Sequence, residues 1–173
     1  MAEVTLRPLE VDDAELLASL YVRNREFMAP FDPDRPDDFY TAEGQRQALK
    51  ALVRDRANDR RYRFLISSGD VPAGAISVSN IVRGPFQNAS IGYWVSEDLN
   101  GRGIATAAVD LVAGWAFGPG GFHRLEAGTL VDNLRSQAVL RHNRFSRIGL
   151  SRNYLHIGGS WRDHILFART AEE

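Results

Sequence analysis

The part of this chain best suited to chemistry lies near its middle. There Ser90–Ala108 reads S-I-G-Y-W-V-S-E-D-L-N-G-R-G-I-A-T-A-A. A strand pattern over 90–95 runs into a glycine-containing loop at 100–103, and the loop opens a helix. Such a junction aims several backbone N–H groups in one direction at the positive end of a helix dipole, a ready site for a phosphate or pyrophosphate. Two common phosphate loops do not fit it. The nucleoside-triphosphatase loop needs Lys followed by Ser or Thr, and here Ile104 follows Gly103. The dinucleotide fingerprint needs three spaced glycines near the start of a βαβ fold. Only Gly101 and Gly103 are available, mid-chain, with no suitable acid about 20 residues further on. What remains is Asn100-Gly101-Arg102-Gly103-Ile104-Ala105.

The elements that must position this loop follow from periodicity and turn residues. Val4–Leu9 alternates weakly and predicts a short edge strand. Asp12 and Glu15 form a capping-box-like start for a helix with Ala14, Leu17, Leu20 and Tyr21 on one face. Residues 24–36 carry three prolines among aromatics and predict a loop or broken helix. Thr41 caps a second helix, whose face is Ala48, Leu49, Leu52 and Val53. Strands follow over 63–67, 73–81 and 89–95, the first two joined by S-G-D. From Gly103, the apolar positions Ala105, Ala108, Val109, Val112 and Ala116 keep helical spacing until the glycines of 118–121 stop it. Residues 123–130 predict a strand, Asp132 or Asn133 caps a helix to about Asn143, and 148–157 with 161–169 form a hairpin across Gly158-Gly159. The order implies one mixed α/β sheet with helices on both faces, and the strand–helix–strand crossover makes the strands at 89–95 and 123–130 parallel. Trp161 and Phe167 read as core.

The 173 residues suit a single domain spanning 1–173, with 44% hydrophobic and 25% charged residues. A net charge of -1 gives no sign of a nucleic-acid partner. Arginines concentrate in 54–63 and 135–152, five in each, either as solvated faces or as an anion-facing surface. The lack of cysteine excludes a disulfide scaffold, a thiolate nucleophile and a cysteine metal site, and no metal is expected. With no secretion-signal pattern at the N-terminus and no apolar run near the roughly 18 residues that span a bilayer, a cytoplasmic protein without a membrane partner is expected.

The segment 100–105 resembles the Gln/Arg-x-x-Gly-x-Gly/Ala loop of the GCN5-related N-acetyltransferase superfamily, with Asn100, Gly103 and Ala105 on its fixed positions. H-R-L-E-A-G-T-L-V-D-N-L-R-S, R-H-N-R-F and Y-L-H-I-G-G-S-W-R-D-H, together with the N-terminal L-R-P-L and N-R-E-F-M-A-P-F-D-P, look like the ribosomal-protein-alanine N-acetyltransferase branch. The resemblance covers nearly the whole chain. It implies a largely antiparallel sheet with a central splayed parallel pair, and acetyl-CoA as cosubstrate. The backbone amides of Gly101, Arg102, Gly103, Ile104, Ala105 and Thr106 would hold the pyrophosphate, with Arg102 either touching a phosphate or solvated. Trp94 and Val95 would offer main-chain atoms to the pantetheine arm, and Asn133 and Ser136 would face that arm and the thioester. The tyrosine that often protonates the thiolate is replaced by Leu140, which leaves Ser136, water or the departing amine for that task.

The implied reaction is direct acetyl transfer to a primary amine. An α-amino group, with a pKa near 8, needs only a weak base. The oxyanion would rest on the Val95 N–H, and Glu126 is the candidate base or else a structural carboxylate. Many superfamily members carry a glutamate two residues further on, where Gly128 stands here. Tyr154, His156, Asp163 and His164 could bind the amine or relay a proton, and Phe27, Phe31, Tyr93 and Tyr154 are expected to line the acceptor site. The acceptor is expected to be a protein N-terminus such as that of a ribosomal protein. The alternatives are a small amine (polyamine, amino acid or antibiotic) and a non-catalytic acyl-CoA-binding protein. Nucleic acid is not required, and a monomer or homodimer is expected.

Overall fold

The computed structural model describes residues 3–172. Its strands are β1 (Val4–Pro8), β2 (Tyr62–Ser68), β3 (Val71–Val82), β4 (Asn88–Val95), β5 (Arg124–Leu130), β6 (Ser146–Ile157) and β7 (Ser160–Thr170). Its helices are α1 (Ala14–Arg23), α2 (Arg25–Met28), α3 (Ala42–Ala57), α4 (Ile104–Phe117) and α5 (Leu134–His142). The strands form one sheet in the order β1-β2-β3-β4-β5-β7-β6. Only β4 and β5 run parallel, as their crossover through α4 requires.

Period-two alternation divides the sheet between two cores. On one face Ile66, Ile76, Ile91 and Leu125 meet Val109 and Val112 of α4 and Leu140 of α5. On the other, Leu65, Ala75 and Trp94 meet Leu17, Leu20 and Tyr21 of α1 and Leu49 and Leu52 of α3. α4 is apolar along most of its surface because it crosses the centre of the first core, with Ala108, Val109, Val112, Ala113 and Ala116 all at 0% exposure.

The central pair is incomplete. β4 and β5 are in register only over Asn88–Ser90 and Arg124–Glu126. Each strand then continues on its outer neighbour alone, β4 on β3 as far as Val95 opposite Gly74 and β5 on β7 as far as Leu130 opposite His164. A wedge-shaped gap opens between them beyond Ser90 and Glu126. It points toward the end of β4, where a 3-10 turn over Glu97–Leu99 leads into the glycine loop.

One buried side chain fixes that end. Asn24, 2% exposed at the C-terminal cap of α1, donates through Nδ2 to Leu20 O (2.8 Å) and Ser96 Oγ (3.1 Å). Its Oδ1 accepts from Glu97 N–H (2.9 Å). A helix on one face is thereby tied to the strand end that feeds the loop.

Several local expectations change. The first helix is not boxed by Asp12 and Glu15; the Glu10 N–H donates to Asp13 Oδ2 (2.9 Å), and Arg7 holds the same carboxylate. In α3 the Thr41 cap is present, its Oγ1 accepting from Gly44 N–H at 3.0 Å, but Ala48 is exposed and Gln45 is buried in its place. Residues 24–36 do form a broken helix, α2 followed by a turn. Trp161 is 62% exposed at the β6–β7 tip, stacked edge-on against His156, whereas Phe167 is fully buried. Among the described residues no helix is long and apolar enough to cross a membrane.

Asn24→Ala should leave two buried polar groups unpaired and destabilise the protein by about 1–3 kcal/mol, read as a lower urea midpoint at unchanged m-value.

Candidate active site

The glycine loop is built for an anion. Gly101 and Gly103 both take φ +76°, the left-handed region that costs a residue with a Cβ about 1–2 kcal/mol. The first helical bond of α4 runs from Ala107 N–H to Gly103 O (3.0 Å), so the N–H groups of Ile104, Ala105 and Thr106 have no intrahelical acceptor. They project from the positive end of a 14-residue helix. The Asn100 side chain turns inward, donating to Ser96 O at 3.1 Å and more weakly to Val95 O and Glu97 O at 3.4 Å. Asparagine at this position therefore braces the loop against the strand end. The exposed Arg102 donates to Asp98 O (3.0 Å). Asn143, at the end of α5, donates to Thr106 O (3.2 Å) and ties the second helix to the first turn of α4. Its sequence context shows only a helix end, so nothing local predicts this tie.

The gap between β4 and β5 begins beside this loop. Ser96 N–H donates to Ala73 O (2.7 Å) on the β3 side. Strand alternation then turns the main-chain groups of Val95 into the gap and those of Trp94 back toward β3. A Cβ built on Gly74 would lie 2.1 Å from the Trp94 carbonyl oxygen, which confirms that this carbonyl faces β3. Val95 therefore turns its N–H into the gap. The main-chain groups of Trp94 face β3, and its indole packs 5.1 Å from the Tyr21 ring.

Across the gap, Asn133 caps α5 by accepting from Ser136 N–H (3.1 Å). Ser136 Oγ lies 2.9 Å from Tyr93 Oη, which also reaches Ser136 O at 3.2 Å. Tyr93 thus lies on the α4–α5 face with Ser136. Burial raises its phenol to about 12, with the Ser136 bond acting in the opposite direction.

The other face of the gap is an open well. If pairing continued beyond Ser90 and Glu126, Gly92 would oppose Gly128, and both are exposed. Glu126, on the last paired rung, is held by Arg124 (Nε to Oε1, 2.8 Å). Tyr154 reaches this well from the far side of β7, because β6 bulges over Arg152–Tyr154. Asp163 pins the bulge by accepting from Asn153 N–H (2.9 Å). Asp163 and His156 are thus engaged elsewhere, while Tyr154 and His164 stand beside Gly128. Phe27 and Phe31 contact each other at 6.2 Å near a cavity of about 230 Å³ lined by Tyr21, Arg25, Met28, Asp32, Arg35 and Tyr40. No contact joins them to Tyr154 among the described residues.

A splayed parallel pair, a helix N-terminus with free amides at its mouth and exposed glycines on the opposite face offer an anion site beside two unpaired strand edges. The sequence pattern of the acetyltransferase (GNAT) domain matches residues 3–146. The chain is 41% identical to the probable N-acetyltransferase YjcK of Bacillus subtilis, over 95% of this chain and 92% of that protein. Its fold overlays the ribosomal-protein-S5-alanine acetyltransferase of Vibrio fischeri with TM-score 0.95 at 31% identity, covering 100% of this chain and 96% of that one. It overlays Mycobacterium smegmatis RimJ, solved with CoA-disulfide, with TM-score 0.93 at 32% identity over 98% and 82%. The chain belongs to the GNAT acetyltransferase family, in its RimJ-like part, and is an acetyl-CoA-dependent N-acetyltransferase.

Gly103→Ala should weaken acetyl-CoA binding about tenfold in calorimetry, because the strained loop withdraws its amides. The Tyr93 phenol has a folded-state value above the usual 10. Its contribution to stability is therefore complete below about pH 10 and is lost as pH rises toward 12. Wild type should lose more stability than Tyr93→Phe between those pH values in parallel denaturant titrations.

Proposed function

We propose that this enzyme acetylates the α-amino group of a protein N-terminus, with an alanine-starting ribosomal protein as the type substrate. The observation carrying this reading is the near-complete overlay on the Vibrio fischeri enzyme, whose stated substrate is the alanine of ribosomal protein S5. The open acceptor side supports it. Tyr154, beside the well, is 43% exposed.

The free amides of 104–106 fit a pyrophosphate, and the unpaired edges of β4 and β5 beyond Ser90 and Glu126 fit an extended arm that bonds like an added strand. Acetyl-CoA, bound there, supplies an acetyl group on a thioester that an amine can attack. Val95 N–H is directed into the gap to hold the carbonyl oxygen as it gains charge. Ser136, supported by Asn133 and Tyr93, is placed on the α5 side to give the departing sulfur a proton. The Tyr93 phenol, still protonated across the neutral range, keeps that pair a donor. The amine enters from the opposite face, through the well between Gly92 and Gly128.

Thiol release from acetyl-CoA tests the acceptor. An Ala-starting peptide should turn over, while the same peptide with a blocked N-terminus and free lysine, and spermidine, should not. Turnover confined to spermidine would transfer the enzyme to small-amine substrates.

A further inference from the structure

We infer that His164, not Glu126, accepts the proton of the attacking amine. The inference rests on amine acetylation in the well described above, whichever amine is the acceptor.

Gly128 is the first residue of β5 past the paired rungs whose position faces the well. A Cβ there would lie 3.3 Å from Leu166 Cδ2, 3.5 Å from Tyr154 Cε1 and 3.7 Å from His164 Cδ2. The space a β5 side chain would take is thus bordered by an imidazole and a phenol reaching in from β7 and β6. His164 is only 3% exposed, and its Nδ1 lies 3.0 Å from Arg162 O. A carbonyl can only accept, so Nδ1 carries the proton and Nε2 keeps its lone pair. Among the described residues nothing hydrogen-bonds to Nε2, the ring atom next to the Cδ2 that borders Gly128. A buried imidazole with one nitrogen fixed by backbone and the other free at the edge of a well has the arrangement of a general base.

The charged and titratable neighbours leave this assignment to His164. Glu126 on β5 is engaged by Arg124 at 2.8 Å. Asp163, beside His164 on β7, accepts from Asn153 N–H, and the Arg162 guanidinium lies 3.9 Å from Asp132. The Tyr154 ring on β6 lies 5.3 Å from the His164 ring, tilted by 54°. In the step itself, the amine nitrogen forms the C–N bond with its lone pair and releases a proton to Nε2, directly or through one water. The C–S bond breaks with its electron pair on sulfur, which takes a proton from Ser136 in exchange with solvent. The imidazolium returns its proton to water.

The test is His164→Asn, whose side-chain amide can keep the donor to Arg162 O while removing Nε2. It is assayed with whichever of the three acceptors above turns over. At saturating acceptor the variant should drop about 10²-fold or more in kcat, with KM for acetyl-CoA unchanged. A kcat within threefold of wild type would overturn the inference. Independently of turnover and of variant folding, ¹⁵N NMR of wild-type histidines should show His164 protonated at Nδ1 and bare at Nε2. The Nε2-protonated tautomer would overturn it as well.

Discussion

Everything distinctive here depends on a parallel strand pair that stops pairing after three rungs. Hydrogen-bonding groups on two central strands are expensive to leave without partners. This sheet nevertheless holds β4 on β3 and β5 on β7 while keeping them apart from each other beyond Ser90 and Glu126. The arrangement is sustained from outside the gap. Asn24 ties the end of β4 to α1, Asn143 ties α5 to the first turn of α4, and the Asn100 side chain fills the corner between strand and loop. Three asparagines thus hold open a slot that an extended, hydrogen-bonding arm can complete.

The pleat of β4 turns neighbouring residues to opposite faces. Tyr93 points to α5 and joins Ser136; Trp94 points to α1 and packs on Tyr21. Gly92, on the same face as Trp94, is exposed. Adjacent residues therefore serve opposite faces, and in the proposed reaction the thiol-side donor and the amine-side acceptor lie on either side of the sheet.

The site is also shaped by what its side chains are already doing. Of the four hairpin candidates Tyr154, His156, Asp163 and His164, Asp163 is used to set the β6 bulge and His156 stacks with an exposed tryptophan. The bulge is what carries Tyr154 across β7 to the well. Glu126 is the obvious carboxylate by chemistry, yet it lies on a paired rung against Arg124.

Local patterning alone carried the element order, the glycine loop and the Thr41 and Asn133 caps, because these depend on residues within a few positions of one another; the parallel pair followed from the strand–helix–strand order and the handedness of crossovers. Ala48 and Trp161 are exposed against expectation because period and hydrophobicity say how a residue could be buried, not whether a neighbouring element covers it. The side on which Trp94 presents its carbonyl, the pairing of Tyr93 with Ser136, and the presence of His164 beside Gly128 were decided only by strand register. These groups are 20 to 43 residues apart along the chain. No local propensity links them, and a one-residue shift in pairing would send each side chain to the opposite face.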